Sequence, residues 1–361
     1  MLQKFFATAF ACAAFMPLMA QETETTIEKE KKSTTTLSGF ADVYYRYSFN
    51  KSTDVDKTSF TNSHNSFELG MVSAKVEHSW SKVGLVADIG FGKRAEDFNY
   101  ADENTRLAIK QLNVSYSPKE WLKFVAGTWG THIGYELADA NLNRNYSMSY
   151  LFSKGPFQHT GLKAEATTGK HSFMLGITNP TDLKSAPMDS KKFVIGQYGL
   201  AASEATQLYV SFVAGEDDPT FDSKTWQVDA VVTQSVSDKF SIGLNGSVNG
   251  NKYTDVITSK DVKGKWWGTA LYLNFDPLEK LGFTLRGEYF DDKDGRTGMF
   301  TDYGFTGGNI FATTLSANIK IQSLTIIPEI RIDNASESIF DKKSGTSKSS
   351  GHFLVAAVYQ F

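Results

Sequence analysis

The last residues of the chain, Phe353-Leu354-Val355-Ala356-Ala357-Val358-Tyr359-Gln360-Phe361, alternate like a β-strand and run to a terminal aromatic residue. Chain ends ordinarily fray into polar tails. A closed barrel in a lipid bilayer requires the opposite, because its last strand must pair with its first and every second side chain must face hydrocarbon. Phe353, Val355, Ala357, Tyr359 and Phe361 form such a lipid face. The ending therefore predicts a transmembrane antiparallel β-barrel, all-β in class, and the rest of the chain must supply matching strands.

Period-two alternation recurs from Leu37 to the end, and helical periodicity is almost absent. Sixteen strands are predicted, near 37–49, 67–79, 82–91, 107–117, 121–130, 157–167, 171–178, 192–202, 206–214, 224–234, 239–249, 265–275, 281–291, 309–320, 323–333 and 352–361, with 14 or 18 as alternatives. Phe240, Ile242, Leu244 and Val248 share one face of their strand, and Ser241, Gly243, Asn245 and Ser247 share the other. Strands of about ten residues suit a tilted crossing of a bilayer.

The links are more telling than any single strand. Every other one is tight: Trp80-Ser81, Ser117–Glu120, Thr168–Lys170, Ser203–Ala205, Ser235–Asp238, Asp276–Lys280 and Gln322. The intervening ones are longer: 50–66, 92–106, 131–156, 179–191, 215–223, 250–264, 292–308 and 334–351. Short turns at one end and long loops at the other, with both termini on the short-turn side, is the outer-membrane barrel arrangement. A soluble β-sandwich would show no such alternation. Two residues fit poorly. Pro328 sits inside a strand and predicts a bulge or local distortion, and Lys110 falls on the lipid-facing phase beside Ala108 and Leu112.

Residues 1–20 read as a signal peptide: Lys4 is positive, Phe5 to Phe15 is apolar, and Leu18-Met19-Ala20 suits cleavage. The stretch is too short for a membrane-spanning helix. Its Cys12 is the only cysteine, and Phe10 occupies a position where a lipoprotein signal wants a small residue. Residues 21–36 read as a flexible periplasmic lead-in and 37–361 as the barrel. Removing the first twenty residues takes away one charge, Lys4, and leaves 36 basic against 40 acidic side chains. That balance argues against a nucleic-acid partner.

Gly39-Phe40-Ala41-Asp42-Val43-Tyr44-Tyr45 followed by Asn65-Ser66-Phe67-Glu68-Leu69 resembles the opening of the putative beta-barrel porin-2 (OmpL-like) family. So do Gly127–Glu136, Asn141–Ser149 and Pro156–Gly161, while the likeness weakens beyond about residue 200. The resemblance implies an outer-membrane pore of a Gram-negative cell and names no substrate. The final Phe361 is similar to the terminal signal read by the barrel-assembly machinery.

A pore works through its radius and its lining charge. The inward phase carries Asp42 and Arg46, Lys75 and Glu77, Asp88, Lys163 and Glu165, Asp229, Arg286 and Glu288, and Glu329 and Arg331. Residues two apart lie on one face about 7 Å from each other, so the expected lumen field is of mixed sign. The link 131–156 is the longest and the third of the long loops. By analogy with general porins it folds inward and sets the constriction, with Glu136, Asp139 and Arg144 as its charges and Tyr135, Tyr146 and Tyr150 as eyelet candidates. An outer lid, or a latch on a neighbouring subunit, is the alternative.

Other features read as bland. Asp291-Asp292-Lys293-Asp294-Gly295 resembles the start of a calcium loop but lacks the bidentate Glu at position 12. Glu216-Asp217-Asp218-Pro219 reads as an acidic surface loop, and the six histidines show no metal-ligand spacing, so no metal or cofactor is expected. The leading function is passive diffusion of small hydrophilic solutes and ions through a water-filled barrel. A substrate-selective channel for sugars or small anions, with Phe40, Tyr44, Trp129 and Phe290 as an aromatic lining, is one alternative. A closed-lumen adhesion barrel is another. A barrel enzyme is disfavoured, since no Gly-x-Ser-x-Gly nucleophile motif occurs. Ala108, Ala126, Ala164 and Ala166 hint at a small-residue belt for a homotrimer.

Overall fold

Strands that face lipid on one side and water on the other must satisfy every backbone group sideways, so they are stable only in a closed ring. The computed structural model describes residues 33–52, 57–186, 191–218, 223–254 and 260–361, and shows that ring. The predicted signal peptide and most of the lead-in lie outside the described residues.

The strands are β1 (Ser33–Ser48), β2 (Ser66–Trp80), β3 (Val83–Phe91), β4 (Ile109–Lys119), β5 (Leu122–Gly130), β6 (Gln158–Thr168), β7 (His171–Thr178), β8 (Phe193–Ala201) and β9 (Thr206–Asp218). They continue with β10 (Ser223–Ser237), β11 (Phe240–Thr254), β12 (Asp261–Leu278), β13 (Leu281–Asp292), β14 (Gly308–Ile321) and β15 (Leu324–Ala335). A two-stranded ribbon, β16 (Phe340–Asp341) and β17 (Thr346–Ser347), decorates the last long loop before β18 (Ser349–Gln360). Sixteen strands, β1 to β15 and β18, close an antiparallel barrel in sequence order. The seam runs from Phe40↔Gln360 to Ser48↔His352, and Gly39 and Phe361 exchange backbone hydrogen bonds of 3.1 and 3.0 Å below it.

Alternation sorts the side chains as the sequence implies. On β12, Trp266, Ala270 and Tyr272 are buried inside while Trp267, Leu271 and Phe275 are exposed outside. On β18 the outward Phe353, Tyr359 and Phe361 oppose buried His352, Leu354 and Val358. The interior is far from empty. Aromatic and aliphatic clusters fill much of it, one around Tyr150, Trp266, Phe290 and Phe300 and another around Phe40, Tyr44, Tyr146 and Leu354. Phe40, Tyr44, Trp129 and Phe290 are thus packed under other side chains and do not form an open aromatic slide. Burying each such side chain contributes roughly 1.5–3 kcal/mol.

Several expectations are corrected. Residues 33–36 belong to β1, which extends beyond the seam as a hairpin with β2, because Ser33 pairs with Trp80. Glu216 and Asp218 lie on β9, so the expected acidic loop is strand as far as Asp218, and Glu216 meets Lys191 at 2.8 Å. The loops after β9 and β11 are correspondingly shorter than 215–223 and 250–264. Ala108 sits in a 3-10 turn before β4. Pro328 gives the expected local distortion without a bulge: pairing with β14 keeps one register from Ser316↔Glu329 to Ile319↔Ile326 but is interrupted at Ile327 and at Pro328, which has no N–H to donate.

Lys110 does not face lipid. The β3–β4 register steps from Asp88↔Gln111 to Ile89↔Ile109, which leaves Lys110 as the extra residue of a bulge. That bulge turns its side chain inward, where Nζ lies 3.2 Å from Asp88 and 2.6 Å from Asp139.

Candidate functional site

Residues 131–157, between β5 and β6, form the longest link of the barrel. Asparagines, serines and a glycine let such a segment bend without regular pairing. Asn143 closes one bend through its amide, which accepts from Leu137 N at 3.0 Å and donates to the Leu137 and Asp139 carbonyls. Ser149 caps the short helix α1 (Tyr150–Ser153) by accepting from Phe152 N at 3.1 Å.

The partners of this segment are inward-facing residues of strands around most of the wall. Near its start, Gln197 on β8 and Ser211 on β9 donate to the His132 carbonyl, both at 3.0 Å, and Gly134 N donates to Asp229 on β10 at 3.1 Å. Tyr135 stacks on Tyr272 of β12 with centroids 4.0 Å apart. Arg286 on β13 meets Glu136 at 2.5 Å and donates to the Ser147 carbonyl at 2.7 Å. Asp139 reaches Lys110, and Asn141 Nδ2 lies 3.4 Å from Gln360 Oε1, close to the short-turn end of β18.

The return path is held as firmly. Arg144 forms a fork on Asp276, at 3.1 and 2.7 Å, and donates to Thr284 at 2.7 Å. Glu329 on β15 accepts from Tyr146 N at 2.8 Å and Ser147 N at 3.1 Å. Tyr146 donates its hydroxyl to Asp42 on β1. Glu288 accepts from Tyr150 N and Leu151 N at 2.9 and 2.8 Å. Arg331 donates to the Met148 carbonyl at 2.6 Å, and the Tyr150 hydroxyl donates to Asp333 at 2.9 Å.

The residues expected to line the pore therefore divide into two sets. Asp42, Asp229, Arg286, Glu288, Glu329 and Arg331 are buried and hold the 131–157 segment; Asp88 reaches it through Lys110. Lys75 with Glu77 and Lys163 with Glu165 form same-strand pairs at 2.9 and 2.7 Å whose side chains keep partial access. Arg46 is buried and bonds to the Ser63 carbonyl and to His352 Nδ1 at 3.2 Å, beneath the first long loop. Among the segment's own candidates, Glu136, Tyr146 and Tyr150 are buried anchors, whereas Asp139, Arg144 and Tyr135 retain exposure. Burying this many charges is tolerated only because each has partners.

Three contributors were not among the residues expected to line the pore. Lys110 depends on the bulge described above. Arg94, in the short helix Lys93–Phe98 of the second long loop, is fully buried between the Phe60 and Tyr146 rings and donates to the Ala138 and Tyr146 carbonyls at 3.1 and 3.2 Å. Gly70, at the Asp42/Val43 register shift, leaves the space that Asp42 and Tyr146 occupy: a Cβ there would stand 1.8 Å from Asp42 Oδ2.

At the long-loop end, residues 92–108 and 179–186 join over the start of β6. Lys184 bridges Asp102 and Asn99 at 2.5 and 2.6 Å, and Asp182 accepts from Phe157 N, Gln158 N and the Tyr100 hydroxyl at 2.7, 2.9 and 3.0 Å. Burial pushes the Asp182 carboxyl up from 3.8 to about 6. Because the joined state holds the Asp182 proton more tightly, Asp182's own contribution to this junction is full below about pH 4 and is lost as pH rises through about 6. Amide exchange at Phe157 and Gln158, corrected for intrinsic rates, is expected to show greater protection at pH 5 than at pH 7, and Asp182→Asn is expected to flatten that dependence.

The calcium-like stretch is a capped turn. Asp292 accepts from Arg296 N and Thr297 N at 2.7 and 3.1 Å, and Asp291 pairs with Lys293 at 3.0 Å. Among the described residues, no group of three or more His, Cys, Asp or Glu is placed to hold a metal ion.

The family described as putative beta-barrel porin-2, OmpL-like, matches residues 34–361. No curated protein matches the chain. Its fold is similar to solved outer-membrane barrels at low sequence identity. The anion-selective porin from Comamonas acidovorans superposes with a TM-score of 0.59 at 10% identity, covering 91% of this chain and 100% of that one. OmpT of Vibrio cholerae in its trimer form gives 0.60 at 10% identity, covering 91% and 99%. The channel DcaP of Acinetobacter baumannii gives 0.59 at 13% identity, covering 91% and 97%.

Proposed function

The chain belongs to the putative beta-barrel porin-2, OmpL-like family, and we propose that segment 131–157 sets the width and ion preference of this outer-membrane porin. The protein is a transport barrel of the Gram-negative outer membrane, through which small hydrophilic solutes and ions diffuse. The observation that carries the proposal is the Arg286–Glu136–Ser147 junction, a fully buried ion pair whose only evident purpose is to pin the segment to the inner wall. The partly exposed Arg144–Asp276 fork supports a narrow path on the side of β12 and β13.

Arg144→Glu places two carboxylates where a pair stood and adds negative charge to that path. The reversal potential in a salt gradient is expected to shift toward cation preference, with the barrel still folded. An unchanged reversal potential would remove Arg144 from the constriction. For assembly we propose a homotrimer, supported by the likeness to a barrel solved as a trimer and by the outward small residues Ala126, Ala164 and Ala166 on adjacent strands. We propose that Phe361, exposed on the outer face, is the residue read by the barrel-assembly machinery.

A further inference from the structure

We propose that the outward face of β10, β11 and β12, at the long-loop end, docks the phosphorylated headgroup of an outer-leaflet lipid. Strand register assembles this surface in three successive rows across the wall. The lowest row is apolar: Phe212, Val228, Val248 and Trp267 stand side by side, and Phe212, Val228 and Trp267 are exposed where a barrel meets hydrocarbon. One same-face step higher, about 7 Å along the strands, the row is Ala214, Trp226, Gly250 and Lys265. The next step up holds Glu216, Lys224, Lys252 and Lys263. A tryptophan favours the boundary between hydrocarbon and headgroups, because its ring is apolar and its N–H polar. The lysine row above Trp226 therefore stands at headgroup level.

Like charges directly opposite one another on a sheet are destabilising. Lys224, Lys252 and Lys263 nevertheless share a register on three adjacent strands, spanning about 10 Å of wall. The acids nearby do not interrupt them. Asp261 meets Lys252 at 2.9 Å, Glu216 at the end of the row meets Lys191 at 2.8 Å, and Asp294 accepts from the Lys265 backbone N at 3.1 Å. Lys263 and Lys265 form no ion pair among the described residues. An anion laid across the row removes the repulsion. Ammoniums spread over three strands suit a headgroup with more than one phosphate, such as a phosphorylated disaccharide lipid. Gly250 keeps the approach flat, since a Cβ there would stand 2.7 Å from the Trp226 ring that lies over it. The feature is local: at the long-loop end of β14, β15 and β18 the outward row is Phe311, Asn334 and Ser349, without charge.

The test is lipid retention by the refolded full-length mature protein in dodecyl maltoside, counted by native mass spectrometry. The micelles carry bisphosphoryl lipid A, the same lipid stripped of its phosphates, or the phosphorylated lipid with excess inorganic phosphate. The bisphosphoryl lipid is expected to stay bound and the stripped lipid to be lost, with inorganic phosphate a poor competitor. Lys224→Glu/Lys263→Glu is expected to weaken retention on the order of tenfold, and Lys224→Arg/Lys263→Arg to preserve it. Lys342→Glu/Lys343→Glu, an equal charge change on the last long loop, is expected to leave it unaltered. Should reversed charges hinder insertion, Lys224→Gln/Lys263→Gln gives the same readout with a smaller loss. No retention of the bisphosphoryl lipid, equal retention of both lipids, or undiminished retention by the Glu and Gln variants overturns the site. Full displacement by inorganic phosphate assigns the row to a free anion, and lost subunit association with lipid still bound assigns it to a second copy. Either outcome overturns the lipid reading. The porin reading stands in every case, because channel current tests it separately.

Discussion

Arg286→Leu is expected to raise the single-channel conductance severalfold while the barrel remains folded. Arg286 has no solvent exposure, and it ties Glu136, the Ser147 carbonyl and Thr314 together at 2.5, 2.7 and 3.0 Å. Leucine fills the space but leaves Glu136 buried without its cation, a loss of roughly 3–5 kcal/mol. That cost falls on segment 131–157 rather than on the wall, because the β12–β13 and β13–β14 ladders are made of backbone bonds that the substitution does not touch. The segment relieves it by leaving the wall. Glu136→Gln should widen the channel less, since an amide still accepts from Arg286. Both variants should keep the resistance to SDS unfolding at room temperature that marks an intact barrel. Unaltered conductance in a folded Arg286→Leu protein would mean that the segment does not limit the aperture.

Gly39→Val is expected to abolish the folded barrel. A Cβ at position 39 would stand 2.3 Å from the Ser73 backbone oxygen and 2.6 Å from Phe361 Cζ. The phenyl ring can swing away, but the Ser73 oxygen belongs to the β1–β2 ladder and cannot. Gly39 also exchanges both backbone bonds with Phe361, so a displaced Gly39 opens the seam where β1 meets β18. Unpaired backbone groups at a hydrocarbon edge cost several kcal/mol each, and a barrel has no alternative partner for its first and last strands. Refolding into detergent should give no compact, heat-modifiable band, and Gly39→Ala should give a reduced yield. A Val variant that refolds with normal mobility would show that the seam tolerates what the geometry forbids.

Much of this architecture is legible in the sequence because it follows from period two. The sixteen strands, their short and long links and the lipid face of β18 are all set by which residues alternate, and alternation survives without knowledge of the partners. The failures come from breaks in that period. Lys110 reads as lipid-facing by simple alternation, and one extra residue opposite Asp88 and Ile89 reverses it. Pro328 reads as a bulge or local distortion, and the distortion it makes is an interrupted ladder, because a lost donor at a skipped pair needs no bulge. The roles of the inward charges were harder still. Asp42, Glu288 and Glu329 were legible as inward-facing, yet nothing local reveals that they accept from residues 146 to 151, more than a hundred positions away. Arg94 illustrates the limit. Its burial arises only when the first, second and third long loops pack together, and no window of sequence contains all three.

The most direct test of the central claim is the single-channel current of the purified, refolded wild-type chain in a planar bilayer. A water-filled barrel narrowed by a pinned segment predicts stable, long-lived steps of one size, with a reversal potential set by the paired charges along residues 131–157. A compact, heat-modifiable barrel that never conducts would contradict it, and would turn attention to the long loops and what they bind.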